Sequence, residues 1–407
     1  MEYALIGEKL GHSFSQVIHG FFEDYSYELI EVTQEKFSDF VNGKEYKGIN
    51  ITIPYKEKII PYLDYIDDFA KEIGAVNTVV NRSGKLYGYN TDFGGLKKLV
   101  ELNNFDLKNK KALILGSGGT AKTACAVCKH LGANEIITVS RSGNVNYSNV
   151  YSLHNDANII INTTPCGMYP DNNSCAVEID KFNNLEGVID VVYNPLQTKL
   201  VRLAEEKGIK AVSGLYMLIA QAVLAAEYFT GKTYSEDVFK NTYNFILSSK
   251  KNIVLTGMPG SGKSTIGKAI SEKSGRAFID TDALVVEKEG MEITEIFSKY
   301  GEEYFRNAET EAIKFASSQS GVVIATGGGA VLKKENIDLL KSNGKIFFLN
   351  RPISDIVPTA DRPLSADLEA LKKRFDERYT IYMSTADKEI NIKGTVDDAV
   401  SCIMENL

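Results

Sequence analysis

The sequence is poor in the residues that build disulfide scaffolds and metal centres. Among its 407 residues are no tryptophan, four histidines and five cysteines. So few cysteines argue against a disulfide framework. The histidines form no HExxH pattern, which argues against a structural zinc site.

The chain also has a small net charge and no long apolar run. The formal net charge is −7, which argues against broad nucleic-acid binding. The longest apolar run, at 215–226, is shorter than the roughly 20 residues that span a bilayer, and it contains Gln221. The first residues show no basic segment followed by an apolar one. We therefore expect a cytoplasmic protein with small-molecule substrates and neither nucleic-acid nor membrane partners; a homo-oligomer is left open.

Apolar residues make up 43% of the chain and charged residues 24%, an ordinary globular balance. At about 150 residues per domain, the length predicts two or three domains. β-branched runs alternate with helix-like stretches, which indicates an α/β fold with parallel sheets. The predicted strands lie at 3–6, 49–53, 112–115, 136–139, 159–162, 188–191, 253–256, 322–325 and 346–349.

A glycine-rich turn follows the strand predicted at 253–256. Its sequence, GMPGSGKS at 257–264, matches GxxxxGK(S/T), and a helix is predicted after it at 264–274. Such a P-loop points backbone N–H groups at the phosphates of ATP. In this pattern Lys263 reaches the β- and γ-phosphates and Ser264 binds Mg²⁺. The predicted ATP-binding residues are Gly257, Gly260, Ser261, Gly262, Lys263, Ser264 and Thr265.

A pair of aspartates ends the next predicted strand, in FIDTD at 278–282. Residues i and i+2 of a strand point to one face, so we expect Asp280 and Asp282 to project together. One would help to hold Mg²⁺ and the other would take up the proton of an acceptor hydroxyl.

The stretch 278–309, together with ATGGGAVL, ADRPL and RYTIYMSTAD, resembles shikimate kinase, and the resemblance covers 251–407. It implies ATP-dependent phosphorylation of the shikimate 3-hydroxyl. Asp282 would then contact the reacting hydroxyl, and Asp280 would lie nearer Mg²⁺. The resemblance assigns Arg306 and Arg378 to the substrate carboxylate, Gly327, Gly328 and Gly329 to the substrate ring, and Arg362 to ATP. Such kinases usually carry a longer lid with a further basic residue, whereas 356–361 contains no Arg or Lys.

A second glycine turn, GSGGTA at 116–121, follows the strand predicted at 112–115 and fits the GxGxxG/A dinucleotide pattern. The next predicted strand ends in Ser140 and Arg141. An arginine at this point accommodates a 2′-phosphate, so the pattern favours NADP(H) over NAD. The predicted cofactor residues are Gly116, Ser117, Gly118, Gly119, Thr120, Ala121, Ser140 and Arg141.

Polar residues that suit a polyhydroxylated carboxylate ligand are spread over the first 92 positions. They are Ser13, Ser15, Thr52, Lys56, Asn77, Asn90 and Asp92. Lys56 and Asp92 offer a pair of opposite charges that could donate and accept a proton. Each of the neutral residues alone is more often a turn or capping residue.

Together with NTTPCGM at 162–168, DVVYNP at 190–195 and the segment 214–221, this set resembles shikimate dehydrogenase over about 1–247. The resemblance implies reduction of 3-dehydroshikimate, with Lys56 and Asp92 as the acid/base pair. It assigns Tyr193 and Gln221 to the substrate with the polar residues above, and Thr163 to the cofactor.

The sequence thus predicts a two-lobed dehydrogenase with a Rossmann-type NADP domain, followed by a P-loop kinase domain. The predicted bounds are 1–91 plus 214–247 for the substrate lobe, 92–213 for the dinucleotide lobe, 248–251 for a short linker and 252–407 for the kinase. The two reactions are consecutive, with NADP(H), ATP and Mg²⁺ as cofactors. Two alternatives stay open: an NAD-using quinate/shikimate dehydrogenase, and one half acting as a non-catalytic ligand-binding or regulatory module.

Overall fold

The structure is a computed structural model that describes residues 1–11, 13–356 and 368–407. The chain divides into two compact units, 1–246 and 247–407. None of the described helices is both long enough and apolar enough to cross a membrane.

A six-stranded sheet begins the first unit, with strand order β2-β1-β3-β5-β6-β4. Its strands are β1 (Tyr3–Gly7), β2 (Tyr27–Glu31), β3 (Gly48–Ile51), β4 (Tyr65–Ile66), β5 (Thr78–Arg82) and β6 (Lys85–Tyr89). β5 runs antiparallel to both of its neighbours. The β5–β6 turn has positive φ at Ser83 and Gly84, the geometry that closes a two-residue hairpin. This sheet is therefore mixed, where the sequence predicts a parallel one.

Five helices accompany this sheet. They are α1 (Ser15–Phe22), α2 (Phe37–Gly43), α3 (Tyr55–Lys58), α4 (Asp68–Ile73) and α5 (Thr91–Leu102). Buried apolar residues of α2, α3 and α4 pack with those of β1 and β3 in one core cluster.

The second sheet of this unit is parallel throughout, with order β11-β10-β9-β7-β8. Its strands are β7 (Lys111–Leu115), β8 (Glu135–Val139), β9 (Ile159–Asn162), β10 (Gly187–Asp190) and β11 (Lys210–Ser213). The helices are α6 (Gly119–His130), α7 (Val150–His154), α8 (Lys199–Glu206), α9 (Leu215–Thr230) and α10 (Glu236–Lys250). α9 packs on α5 so closely that a Cβ at Gly95 would lie 2.8 Å from the Met217 carbonyl oxygen.

The second unit holds a parallel sheet of order β13-β14-β12-β15-β16. Its strands are β12 (Asn252–Thr256), β13 (Phe278–Asp280), β14 (Val323–Ala325), β15 (Gly344–Asn350) and β16 (Lys388–Asn391). The helices are α11 (Lys263–Ser274), α12 (Thr281–Glu289), α13 (Ile293–Ser318), α14 (Lys334–Asn343), α15 (Leu368–Thr385) and α16 (Val396–Glu405). Buried strand residues form the core on both faces of this sheet.

The α/β fold class predicted from the sequence is confirmed, and each predicted strand overlaps an observed one. The linker predicted at 248–251 is largely helical in the structure. Residues 248–250 are the last turn of α10, and the two units divide within that helix.

Candidate active sites

A cleft of about 710 Å³ opens in the first unit, and most of the predicted substrate residues line it. Its walls come from the loop after β1, the ends of β3 and β10, and the first turns of α3, α5 and α9. Among the predicted residues, the structure brings together Ser13, Ser15, Thr52, Lys56, Asn77, Asp92, Tyr193 and Gln221.

Lys56 and Asp92 form an ion pair within this cleft. The Lys56 Nζ lies 2.7 Å from Asp92 Oδ2, and the side chains are 21% and 13% exposed. Lys56 lies on the short helix α3, whereas Asp92 lies in the first turn of α5, where the helix dipole favours a negative charge. An ammonium held beside a carboxylate in a cleft can donate a proton and recover one.

Neutral hydrogen-bonding groups surround the ion pair. Ser13 Oγ donates to Ser15 Oγ over 3.2 Å, so the two hydroxyls stand side by side. Burial raises the pKa of Tyr193, which keeps its phenol protonated and able to donate. Gln221 donates to the Leu218 carbonyl oxygen, and its side-chain oxygen can accept a further hydrogen bond.

Asn77 is held in place by a buried network. Its Oδ1 accepts from the Thr91 backbone N–H over 2.7 Å and from the Thr78 hydroxyl over 3.1 Å. Asn50, a cleft residue that the sequence analysis missed, donates to the Asn77 carbonyl oxygen and accepts from the Tyr27 hydroxyl. In the described parts of the chain the Asn77 Nδ2 group has no acceptor, so it is available to a ligand. The NIT motif at 50–52 was the signal for Asn50.

Asn90, which the sequence analysis assigned to the substrate, does not line this cleft. Its Oδ1 accepts from the Phe93 backbone N–H and caps α5, while its Nδ2 donates to the Ala75 carbonyl oxygen. Both ends of the amide are therefore occupied in shaping the helix start. Asn90 acts as an N-cap that positions Asp92, two residues later.

The dinucleotide loop lies between β7 and α6, where the strand order of the second sheet reverses between β7 and β9. Gly116 has φ +116°, and a Cβ there would lie 2.7 Å from Thr163 Oγ1. The N-terminus of α6 has no capping side chain and no acidic residue in its first turn. Exposed N–H groups of this kind suit a pyrophosphate.

The other residues predicted for the cofactor flank that loop. Ser117, Gly118, Gly119 and Thr120 belong to the turn and the start of α6, and Ala121 is buried behind them. Thr120 also lines the substrate cleft, so the two binding regions adjoin. Ser140 and Arg141 follow β8, and Arg141 is exposed, as a group that meets a 2′-phosphate must be.

The second unit has its own cavity of about 390 Å³, built around the phosphate loop. Gly257, Gly260 and Gly262 have φ of 148°, 82° and 96°, which side-chain-bearing residues rarely adopt. Lys263 donates to the carbonyl oxygens of Gly257 and Met258. Ser261 is buried within the loop, and Ser264 and Thr265 line the cavity.

Ser264 and Asp280 meet in this cavity, with Ser264 Oγ donating to Asp280 Oδ2 over 2.7 Å. Two neighbouring oxygen ligands fit Mg²⁺, which keeps several waters and takes one or two carboxylates. Asp280 is also the N-cap of α12, and its Oδ1 accepts from the Asp282 and Ala283 N–H groups.

The strand argument for Asp282 was wrong, although the residue does line the cavity. β13 ends at Asp280, and Asp282 lies in the first turn of α12. The N-cap turn, rather than strand alternation, brings the two carboxylates together.

Arg306 lies against the triple glycine that follows β14. Its Nη1 lies 2.9 Å from Glu309 Oε2 and its Nη2 lies 3.0 Å from Glu302 Oε1. A Cβ at Gly329 would lie 2.3 Å from Arg306 Nη1, and a Cβ at Gly327 would lie 2.6 Å from Asp282 Oδ1. Because these glycines have no side chain, Arg306 and Asp282 can approach the backbone of the 327–329 segment closely.

Glu309 is a cavity residue that the sequence analysis missed. It is 1% exposed, and burial raises its pKa. Its spacing of three from Arg306 on α13 was the available signal. Arg374, one turn before Arg378 on α15, and Arg351 after β15 were also missed.

Arg378 completes the arginine set by donating to the Gly328 carbonyl oxygen over 3.1 Å. Pro259 limits the space on the other side of Gly328, where a Cβ would lie 2.7 Å from its Cδ. Arg362 lies outside the described residues, as does most of the lid segment.

Comparison with known families matches both units. Residues 5–79 match the sequence model "Shikimate dehydrogenase substrate binding domain", and residues 259–407 match "Shikimate kinase". A shikimate dehydrogenase (NADP(+)) of Clostridium perfringens is 39% identical over 262 residues, which is 58% of this chain and 97% of that protein. A shikimate dehydrogenase (NADP(+)) of Methanosphaera stadtmanae is 36% identical over 266 residues, 58% of this chain and 93% of that protein.

Solved structures agree. Shikimate dehydrogenase 1 from Peptoclostridium difficile has a TM-score of 0.56 at 34% identity, covering 60% of this chain and 97% of that one. A shikimate 5-dehydrogenase from Thermus thermophilus, solved with NADP(H) and shikimate, has a TM-score of 0.54 at 27% identity, covering 60% and 99%. The chain therefore belongs to the shikimate dehydrogenase family, and its C-terminal unit carries a shikimate kinase domain.

Proposed function

We propose that this chain catalyses two consecutive reactions. The first unit reduces 3-dehydroshikimate to shikimate, and the second phosphorylates the 3-hydroxyl of shikimate. The observation that carries the proposal is that each unit has its own cleft with charged side chains in its lining, one around the Lys56–Asp92 pair and one around the phosphate loop. The product of the first reaction is the acceptor of the second.

In the dehydrogenase cleft, NADPH supplies the hydride when bound. Lys56 stabilises the alkoxide that develops on the ring oxygen and donates a proton to it, while Asp92 holds the ammonium in place. The hydroxyls and the carboxylate of the substrate are bound by neutral side chains, namely those of Ser13, Ser15, Thr52, Asn77, Tyr193 and Gln221. Arg141 would bind the 2′-phosphate of the cofactor, and the start of α6 with Thr163 would bind its pyrophosphate.

In the kinase cavity, MgATP supplies the phosphoryl group when bound. Lys263 and the loop N–H groups hold phosphates, and Ser264 with Asp280 holds Mg²⁺. Asp282 accepts the proton of the substrate hydroxyl. Arg306 and Arg378 bind the substrate carboxylate, for which planar guanidinium groups are suited.

The proposed bounds are 1–91 with 214–247 for the substrate lobe, 92–213 for the dinucleotide lobe and 252–407 for the kinase. The proposed site of action is the cytoplasm, where both small-molecule substrates would be free to diffuse to the enzyme.

The test is a coupled assay on the full-length chain with 3-dehydroshikimate, NADPH, ATP and Mg²⁺. We expect NADPH oxidation, followed by ADP formation that depends on prior reduction. Lys56→Gln should lower both signals by about 10²–10⁴-fold, and added shikimate should restore ADP formation alone. If the chain oxidises NADPH but forms no ADP even with added shikimate, the kinase assignment fails. If it forms ADP but oxidises no NADPH, the dehydrogenase assignment fails.

A further inference from the structure

Arg351 lies beside the phosphate loop. It follows β15, whose residue Phe348 pairs with Thr256 at the end of β12, immediately before that loop. Arg351 lines the same cavity as Lys263 and Ser264. Its Nη2 lies 3.9 Å from the position that a Cβ at Gly262 would take. Gly262 is the N-cap of α11, so the guanidinium lies at the helix end that points N–H groups into the cavity.

Two other arginines of the cavity, Arg306 and Arg378, are already engaged by the protein. Arg306 is bound by Glu309 and Glu302, and Arg378 by the Gly328 carbonyl oxygen. Arg351 differs, because among the described residues no carboxylate or carbonyl oxygen accepts a hydrogen bond from it. A partly buried guanidinium without a counter-charge is unfavourable unless an anion reaches it.

The sequence between Arg351 and Arg362 carries no other basic residue. Residues 356–361, which precede Arg362, contain no Arg or Lys. A cation fixed at a strand end needs no closing segment to carry it to the loop, and a planar guanidinium binds two phosphate oxygens at once.

We propose that Arg351 binds the phosphate chain of the nucleoside triphosphate together with Lys263. This inference rests on the proposed kinase function and adds a residue to it. Arg351, directly after β15, thereby supplies positive charge that residues 356–361 do not carry.

The test compares Arg351→Gln and Arg351→Lys with Lys372→Gln as a matched control. Lys372 is an exposed cation on α15 that does not line the cavity. Calorimetry on the full-length chain would give dissociation constants for MgADP and for adenosine. We expect Arg351→Gln to weaken MgADP binding about tenfold, with adenosine binding unchanged and Arg351→Lys intermediate. Lys372→Gln should match the unsubstituted chain.

A measurement of shikimate binding and the MgADP results together can contradict the inference. Shikimate binding, followed by tyrosine fluorescence, should be unchanged in Arg351→Gln, because Arg351 is assigned to the nucleotide alone. The inference is overturned if Arg351→Gln binds MgADP within twofold of the unsubstituted chain. It is also overturned if Arg351→Gln loses adenosine binding as much as MgADP binding, because Arg351 would then contact the adenosine part of the nucleotide. Failure of the unsubstituted chain to bind MgADP would instead remove the kinase proposal itself, and this one with it.

Discussion

Gly329→Ala provides a direct test of how the kinase cavity positions Arg306. Gly329 has φ −100°, which alanine adopts without strain, so the backbone should be unaffected. The new Cβ would lie 2.3 Å from Arg306 Nη1, against an ordinary contact of about 3.5 Å. The guanidinium must therefore move by roughly 1 Å, away from the place where Glu309 and Glu302 hold it.

A displacement of about 1 Å in a substrate-positioning group can cost on the order of 10²-fold in rate, or about 2.7 kcal/mol. We therefore expect kcat/KM for shikimate to fall about 10²-fold. The displaced group is the end of a flexible side chain, so the melting temperature should change little. NADPH-dependent activity of the same chain serves as the internal control and should be unchanged.

Double substitution separates the proposed cause from a general disturbance of the cavity. With Arg306→Ala as background, no guanidinium is left to displace, so Gly329→Ala should have little further effect on kcat/KM. The reasoning is refuted if the two substitutions lower kcat/KM additively, or if Gly329→Ala alone leaves it within threefold of the original value.

Three other predictions concern the first unit. Lys56→Gln should lower kcat for 3-dehydroshikimate reduction by about 10²–10⁴-fold, whereas Lys58→Gln on the same helix should not; equal losses in steady-state assays would contradict the proton-transfer role. Arg141→Gln should raise KM for NADPH about tenfold and leave KM for NADH nearly unchanged, and a parallel rise for both cofactors would remove the 2′-phosphate contact. Burial raises the pKa of Asp190 from 3.8 to about 6. The native state therefore binds this proton more tightly than the unfolded state does. Protonated Asp190 stabilises the fold, and this contribution is lost as the pH rises from about 4 to about 6. Asp190→Asn should flatten this part of the pH dependence of the urea unfolding free energy, and an unchanged slope between pH 4 and 6 would contradict it.

Strong local signals account for what the sequence predicted well. The two glycine turns each follow a buried β-branched strand, and local pattern alone identified both loops and most of the surrounding strands. Several of the strands that were missed are short or polar, such as β4 with two residues and β6 with the sequence KLYGY. β4 pairs with β6, which lies beyond α4 and β5 in the chain, so no local pattern predicts that pairing.

Individual site residues were harder to predict because their roles depend on where chain segments meet. Asn90 and Asn77 look alike in sequence, yet one caps α5 with both side-chain groups engaged and the other faces the cleft. Glu309 reads as an ordinary helix-surface charge until α13 is packed against the glycines at 327–329. Asp282 does line the cavity, but not because it ends a strand: β13 ends at Asp280 and α12 begins at Thr281.

Asp280 serves two neighbours with two different atoms, and this restricts what can replace it. Its Oδ2 faces the Ser264 hydroxyl, while its Oδ1 is bound to the first N–H groups of α12. Asparagine would preserve the helix start but remove the charge, and glutamate would preserve the charge but reach past the N–H groups. Of these three side chains, only aspartate both caps α12 and presents a charge to the Ser264 hydroxyl.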